Sequence, residues 1–272
     1  MSGKDRIAVT TWSFHNYFPQ TREKNFKWPG PQLDLRQFPA MIADRYGVHK
    51  LELCSTHFES TSSSYLRDLK AALTKAHSEV VNMPVDYDED WQGRGLSDPD
   101  DRQWKKEIAM RKKWIDIAAF LGAKAIRPNP GGTEKTPLSR PTAAYRQLGS
   151  YGRRKNVRIL IENHGGVAGK AENIVAIVKA AGYPWVGTLP DFGNWHNPAA
   201  RFPGLRLMFP YALTVCHAKG IDFPASRKFD FARCVRISKA AHFKGAYSVE
   251  FGGQKNPYDG VKDLIAALEK DV

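Results

Sequence analysis

The chain has 272 residues, of which 42% are hydrophobic and 25% charged, and its formal net charge at neutral pH is +13. This composition is typical of a globular protein that buries a sizeable core, and it excludes a chain that is disordered throughout. The length allows one large domain or two small ones, because barrels of alternating strands and helices often reach about 250 residues as a single domain.

Short apolar β-prone runs alternate with longer segments of helical period along the chain, which predicts a parallel sheet covered by helices. Eight strands are predicted, at Arg6–Thr11, Lys50–Cys54, Glu79–Met83, Ala123–Arg127, Arg158–Glu162, Val186–Pro190, Leu213–His217 and Ala246–Glu250. Helices are predicted between them, at Leu35–Tyr46, Tyr65–Ala76, Asp100–Leu121, Arg140–Arg153, Ala171–Ala181, Arg201–Pro210, Phe231–Ala241 and Tyr258–Glu269. Prolines leave few usable positions in the helix at 201–210, which is the weakest of these predictions. The chain shows no linker, so we expect a single (β/α)8 TIM barrel domain over residues 1–272.

Two longer connections, Phe14–Pro31 and Val85–Pro99, follow the ends of the first and third predicted strands. Barrel enzymes build their sites from loops at this end of the strands. Each connection is therefore interpreted either as a lid over a site or as an ordinary surface loop.

Basic residues are spread along the chain, with short clusters at Lys105-Lys106, Arg111-Lys112-Lys113 and Arg153-Arg154-Lys155. The clusters fall in predicted helices or at helix ends, which favours solvated helix faces over a nucleic-acid surface. Although the net charge should attract anions, nucleic acid is therefore not expected as a partner.

The three cysteines, Cys54, Cys216 and Cys234, have no CxxC spacing, and we expect them to be reduced and mostly buried. The N-terminal segment MSGKDRIAVTTWSF passes directly from polar residues into a predicted strand, without the pattern of an export signal or a membrane span. We therefore expect a cytoplasmic protein with no membrane partner, unless an export signal has been trimmed from the sequence. No feature indicates an oligomeric state.

Four predicted strands end in a side chain that can bind a metal ion. These are Glu162 in ILIENHGG, Asp191 in GTLPDFGNWH, His217 in LTVCHAKG and Glu250 in YSVEFGG. Each is roughly one strand–helix unit from the next, so all four should project onto the same C-terminal rim of a barrel. Three carboxylates and one imidazole suit one divalent metal ion; we favour Mn²⁺, and Mg²⁺, Co²⁺ or Zn²⁺ are also admissible.

Taken singly, these residues also have structural interpretations. Asp191 can equally cap the following helix, and His217 can equally satisfy a buried hydrogen bond. Glu162 and Glu250 follow strongly apolar runs, where an unpaired carboxylate is costly and needs a metal or a positive partner. The four together favour the metal interpretation.

These segments resemble the sugar isomerase and epimerase barrels related to xylose isomerase, which share their fold with zinc-dependent AP endonucleases. The resemblance spans nearly the whole chain and is densest from Ile159 to Gly253. It implies that the same four residues hold one metal ion, and that Glu162 and Glu250 are the catalytic acid and base on opposite sides of the substrate. The HAK segment is similar to the family's His-x-Lys segment, which implies that Lys219 faces the substrate.

The chain departs from the epimerase pattern three residues after Asp191, where those enzymes commonly carry a histidine and this sequence has Asn194, followed by His196. Both residues are candidate substrate-binding groups. His164, close to Glu162, is interpreted either as a catalytic acid/base or substrate-binding residue, or as a hydrogen-bonding partner behind the metal ligands.

Two residues of the early strands are softer candidates. Trp12 could stack on a sugar face as a substrate-binding residue, or belong to the barrel core. Glu52 inside a barrel needs Arg127 or a similar cation as its partner, and we expect that salt bridge rather than a catalytic role.

The leading functional hypothesis is a metal-dependent isomerase or epimerase acting on a keto or aldo sugar or a cyclitol through an ene-diolate. The alternative is a lyase or dehydratase that expels a β-leaving group from a keto-sugar or keto-glycoside, with His164 or His196 protonating that group; the fold hosts both activities. Minor alternatives are a non-catalytic sugar-binding barrel and an AP endonuclease. The nuclease needs further histidine ligands at positions where this chain has Asn82 and Asn194.

Overall fold

The computed structural model describes residues 3–27, 30–222, 227–253 and 255–272. It contains eight parallel strands: β1 (Ile7–Thr10), β2 (Lys50–Glu52), β3 (Glu79–Val85), β4 (Ala125–Pro128), β5 (Arg158–Glu162), β6 (Val186–Leu189), β7 (Val215–Lys219) and β8 (Ala246–Glu250). Their order is β6-β5-β4-β3-β2-β1-β8-β7. The two ends of the sheet meet through parallel bridges from Thr188 to Ala212 and from Asp191 to His217. The sheet is thus a nearly closed barrel, and the predicted (β/α)8 fold is confirmed.

Helices surround the barrel, with bounds within a few residues of those predicted. They are α1 (Phe38–Tyr46), α2 (Ser63–Lys75), α3 (Asp88–Trp91), α4 (Asp101–Leu121), α5 (Ser139–Lys155), α6 (Ala171–Ala181), α7 (Arg201–Met208), α8 (Phe231–Ala240) and α9 (Pro257–Asp271). The uncertain helix after β6 forms as α7. The short helix α3, within the connection after β3, was not predicted.

The connection after β1 begins with a 3₁₀ helix, Thr11–Tyr17, which buries the aromatic rings of Phe14 and Tyr17. The ring of Phe14 packs against Tyr258 of α9, with 5.1 Å between ring centroids. This first part of the connection is therefore packed against the barrel. Trp28 and Pro29, which the predicted connection also includes, lie outside the described residues.

Alternation along the strands places the candidate site residues. The barrel interior holds a cluster of buried side chains, Ala8, Val81, Ala125, Leu160, Leu189, Val215 and Ala246. Side chains two positions apart on a strand lie on the same face. Glu162 follows Leu160 at this spacing and Asp191 follows Leu189, so both lie on the interior face, above the packed layer and at the C-terminal end of the strands.

The three cysteines are buried and unpaired, as the sequence predicted. Within the described ranges, no helix has the length and apolar character needed to cross a membrane. The interpretation of the basic clusters as solvated helix faces is wrong for Arg111, whose side chain is fully buried.

Candidate metal and catalytic site

The four predicted metal ligands converge at the C-terminal end of the barrel. One ligand atom from each of them lies within 4.8 Å of those of the other three, and all four residues are buried. Nδ1 of His217 lies 3.0 Å from Glu162 Oε1, 3.1 Å from Glu250 Oε2 and 3.5 Å from Asp191 Oδ2. Three carboxylates therefore face one ring nitrogen.

Local contacts fix the backbone at two of these positions. The side-chain amide of Asn163 accepts a hydrogen bond from Asp191 N at 2.8 Å and donates one to Asp191 O at 3.1 Å, just beyond the end of β6. Ser13 Oγ donates to Val249 O at 3.0 Å and accepts from Phe251 N at 2.9 Å, so it clamps the backbone on both sides of Glu250.

The cluster fits one divalent cation. Bonds from such ions to oxygen or imidazole nitrogen are about 2.0–2.4 Å long, so ligand atoms around one ion lie roughly 3–4.5 Å apart. Oδ2 of Asp191 is buried and makes no hydrogen bond within the described part of the chain, although Lys219 Nζ lies 3.3 Å and His217 Nδ1 3.5 Å away. A metal ion at this position would give the oxygen a direct bond. The donor set of three carboxylates and one imidazole suits a hard or borderline metal but does not select among them.

Glu52 orients the imidazole of His217. Both carboxylate oxygens of Glu52 lie against His217 Nε2, at 2.9 and 3.0 Å, and Asn82 Nδ2 donates to Glu52 Oε2 at 2.8 Å. With Nε2–H donating to Glu52, Nδ1 faces the three other carboxylates. The expected pairing of Glu52 with Arg127 is therefore wrong, because Glu52 meets His217 across the barrel.

Arg127 pairs instead with Glu162 and Asp86. Its Nε lies 2.9 Å from Glu162 Oε2, and its guanidinium also contacts the carboxylate of Asp86. Burial opposes ionisation of Glu162, but the positive charges of Arg127 and His217 hold the pKa of this carboxyl well below its usual range. Glu162 is therefore an anion at neutral pH.

Lys219 and Asn194 complete the wall beside the ligands. Lys219 Nζ lies 2.7 Å from Glu250 Oε1 and 3.3 Å from Asp191 Oδ2, and it donates to Asn194 Oδ1 at 2.8 Å. Asn194 Nδ2 donates to Glu162 Oε1 at 2.9 Å. The amide at this position thus links the lysine to a metal-ligand candidate. Burial raises the pKa of Glu250, but the nearby charge of Lys219 and a hydrogen bond from His217 lower it to about 2.

A cavity of about 410 Å³ opens above this cluster, within the size range of small-molecule sites. Its lining includes Glu162, His217, Lys219 and Glu250 together with Trp12 and His164. Trp12 is 39% exposed, and its ring stacks on His15 at 4.9 Å between centroids, so it belongs to the cavity wall rather than to the barrel core. His196 lies outside this cavity and is exposed on the rim of an adjoining one.

A sequence profile of the xylose isomerase-like TIM barrel family matches residues 42–270. The chain belongs to this family. No curated protein matches the sequence at a significant level.

Several solved structures of similar barrels align with nearly the whole of this chain. L-ribulose 3-epimerase matches with a TM-score of 0.76 and 14% identity, over 100% of this chain and 94% of that one. The 3-keto-D-glucoside 4-epimerase from E. coli matches with a TM-score of 0.69 and 14% identity, over 97% and 99%. A xylose isomerase-like TIM barrel protein from Mycobacterium smegmatis, solved in complex with magnesium, matches with a TM-score of 0.68 and 14% identity, over 100% and 99%. At this identity the matches establish a shared fold.

The sequence analysis did not place two residues, Glu52 and Trp91, in the site of this xylose isomerase-like barrel. Glu52 was interpreted as a partner of Arg127, although a glutamate inside the short run LEL already indicated a polar contact within the barrel. Trp91, in the connection after β3, is 52% exposed and lies against the ring of His164 with 4.9 Å between centroids. A tryptophan in a loop carries no periodic signal, so only the fold shows that it reaches the cavity.

Proposed function

We propose that this xylose isomerase-like barrel is a divalent-metal-dependent epimerase or isomerase of a keto or aldo sugar or a cyclitol. The observation that carries the proposal is the convergence of Glu162, Asp191 and Glu250 on His217 Nδ1 beneath a cavity of about 410 Å³. Two structural neighbours, L-ribulose 3-epimerase and 3-keto-D-glucoside 4-epimerase, catalyse this class of reaction, which supports the proposal.

Glu162, Asp191, His217 and Glu250 would hold the metal ion, for which we propose Mn²⁺, with Mg²⁺, Co²⁺ or Zn²⁺ as alternatives. When bound, such an ion acts as a Lewis acid that polarises a substrate carbonyl and makes the neighbouring C–H bond more acidic. The four residues fit this role because their ligand atoms form one compact buried group.

The chain's own groups supply the proton transfers. Arg127 lies 2.9 Å from Glu162 and Lys219 lies 2.7 Å from Glu250, and these cations favour the anionic form of each carboxyl group. An anionic carboxylate is the form that can remove a proton from carbon. One glutamate takes the proton from the carbon next to the carbonyl and becomes neutral. The other glutamate first takes a proton from solvent or from a substrate hydroxyl and then donates it to the opposite face of the same carbon, after which the first glutamate releases its proton to solvent. We propose that Lys219, Asn194 and Trp12 position the substrate, with Trp12 stacking on an apolar sugar face.

One observation favours a second candidate, a lyase acting by β-elimination. His164 lines the cavity close to Glu162 and is partly exposed, so its imidazole can protonate a leaving group while Glu162 removes the proton from carbon. This reaction shares its first step, removal of a proton from carbon, with epimerisation. It differs in the next step, because the intermediate expels a β-leaving group instead of regaining a proton at carbon.

Metal analysis followed by product analysis tests the proposal. The protein as purified should hold a divalent ion, and a panel of ketoses should give isomers of unchanged mass, detected by chromatography and NMR, with activity lost in chelator and restored by Mn²⁺. Products that have lost water or an aglycone would establish the lyase instead. Stoichiometric metal without conversion of any sugar would count against both enzymes and favour a sugar-binding barrel.

A further inference from the structure

A second cavity adjoins the one above the metal-ligand cluster. It has a volume of about 230 Å³, and its lining includes Trp91, His164, Gly165 and His196. Trp91 and His164 line both cavities. The two spaces therefore meet at this pair of rings, and a ligand bound over the metal ligands can extend past them.

The residues that line the second cavity allow a sugar or aryl ring to bind there. The indole of Trp91 is half-exposed, although most tryptophan side chains in folded proteins are largely buried. It offers an apolar face where the two cavities meet. Gly165 and His196 line the same cavity, and a β-carbon on Gly165 would have Nε2 of His196 at 4.0 Å as its nearest neighbour, so the glycine leaves open space beside the imidazole. A cavity that combines an exposed aromatic ring with polar groups can bind a sugar or an aryl ring.

The charge of the second cavity disfavours an anionic group. Among its described lining residues there are amides, imidazoles and the carboxylate of Asp90, but no lysine or arginine. Arg111, the cation nearest that carboxylate, is fully buried and bonded to Asp90 at 2.6 and 2.8 Å, so it does not face the cavity. A phosphate or carboxylate placed there would find no lysine or arginine partner among the described lining residues.

Resting on the proposed function, we propose that the substrate is a glycoside with two rings. The sugar ring that reacts lies above Glu162 and Glu250, and a second, uncharged ring, either a sugar or an aryl aglycone, lies on Trp91 in the second cavity. His196 faces the second ring and contributes to specificity rather than to the proton transfers.

Binding measured by calorimetry on the Mn²⁺-loaded protein tests this assignment. D-fructose is compared with its glucosyl and galactosyl derivatives isomaltulose, turanose and lactulose, and methyl β-D-glucoside is compared with phenyl β-D-glucoside. At least one two-ring ligand should bind about 10-fold more tightly than its one-ring counterpart, a difference typical of one well-placed aromatic contact. D-fructose 6-phosphate should bind no more tightly than D-fructose.

Substitutions at Trp91 show whether the preference comes from the second cavity. Trp91→Ala should reduce the ratio of two-ring to one-ring affinity by about 10-fold, and Trp91→Phe should retain most of it because a ring face remains. Phe120→Ala removes an aromatic ring that is 40% exposed on α4 and should leave the ratio unchanged. An equal loss of both affinities in Trp91→Ala, no preference for any two-ring ligand, or tightest binding of the phosphate would each overturn the assignment. A two-ring preference without turnover would instead uphold the subsite while refuting the proposed reaction.

Discussion

Glu52 holds the far side of the His217 ring, 2.9 Å from Nε2, and makes no contact with the position we assign to the metal. Loss of such a partner behind a metal ligand commonly weakens binding about 10–100-fold. Glu52→Leu should therefore lower Mn²⁺ affinity by that order, whereas Glu52→Gln should have a smaller effect because its amide oxygen still accepts from Nε2. Calorimetric titration of metal-depleted protein measures both, and wild-type affinity in Glu52→Leu would show that the contact does not position the ligand.

The two non-glutamate ligands allow a direct test of the metal assignment. His217→Ala and Asp191→Ala should each lose metal and activity together while keeping the fold, because strand-end ligands lie above the packed layers of the barrel. Elemental analysis gives the metal content, and circular dichroism checks the fold. A variant that retained the wild-type metal content would remove its residue from the ligand set.

His57 should make the protein sensitive to acid. It is buried, with Nδ1 2.9 Å from Thr11 Oγ1 and Nε2 3.0 Å from Thr21 Oγ1, and desolvation lowers its pKa from 6.5 to about 3. Between these two pKa values the unfolded chain binds a proton at His57 and the folded chain does not. The free energy of unfolding therefore has its full value above about pH 6.5 and falls as the pH is lowered toward 3. This contribution changes by roughly 1 kcal/mol per pH unit in that window.

Denaturant unfolding of wild type and His57→Gln between pH 6.5 and 4.5 isolates this effect. The variant's free energy of unfolding should fall less steeply with decreasing pH, because glutamine does not titrate. His242→Asn replaces an exposed histidine whose backbone is left-handed, a conformation that asparagine tolerates, and should keep the wild-type slope. Parallel curves for wild type and His57→Gln would contradict the buried neutral imidazole.

At the level of elements, the strands were predictable because they are short, apolar and separated by helical segments of regular length. The run ILIE gave both the strand β5 and the position of Glu162 at its end, since a buried strand tolerates a carboxylate only where it meets a cavity. The helix α7 formed in spite of its prolines because Pro203 lies in its first turn, where no backbone N–H donor is needed.

The contacts across the barrel were not predictable in the same way. Which partner faces Glu52 depends on the stagger of strands far apart in sequence, and no local pattern reports that stagger. The pairing with His217, rather than with Arg127, needed the three-dimensional structure. The same holds for α3, a single helical turn with too few residues to show a period.

The connection after β3 is fixed by a buried ion-pair network. The guanidinium of Arg111, from α4, bonds to Asp90 of α3, contacts Glu107 and lies 4.4 Å from the ring centre of Tyr87. Because α3 ends at Trp91, this network also sets the position of the exposed indole. Removing the cation leaves two buried carboxylates unpaired, which typically costs about 3–5 kcal/mol.

Arg111→Met should accordingly lower the melting temperature by roughly 10 °C, given the usual relation between unfolding free energy and Tm in chains of this size. Arg102→Met, on the exposed face of the same helix, should leave Tm within about 1–2 °C of wild type. Differential scanning calorimetry measures both, and an unchanged Tm in Arg111→Met would show that the network does not stabilise the fold.

On the scale of the whole molecule, part of the net charge of +13 lies away from the cavity. The cluster Arg153, Arg154 and Lys155 is exposed at the C-terminal end of α5, just before β5 begins. In a barrel this is the end opposite to the strand C-termini, and cations there interact favourably with the helix dipole. The cations that reach the site, Arg127 and Lys219, are bonded to carboxylates. Because both of these cations are already paired, they agree with the sugar-like substrate that we propose.

In the proposed reaction two carboxylates move a substrate proton at a metal site, and hydrogen–deuterium exchange measures this transfer most directly. Mn²⁺-loaded protein is incubated in D₂O with ketoses and two-ring glycosides, and NMR and mass spectrometry follow the carbon next to the carbonyl. The wild type should place deuterium at that carbon in the product. Glu162→Gln and Glu250→Gln should lose far more turnover than metal, because glutamine keeps a coordinating oxygen but cannot accept a proton. Glu172→Gln, on the exposed face of α6, should behave as wild type. Full turnover in either site variant, or product formed without deuterium, would contradict proton transfer by the two glutamates.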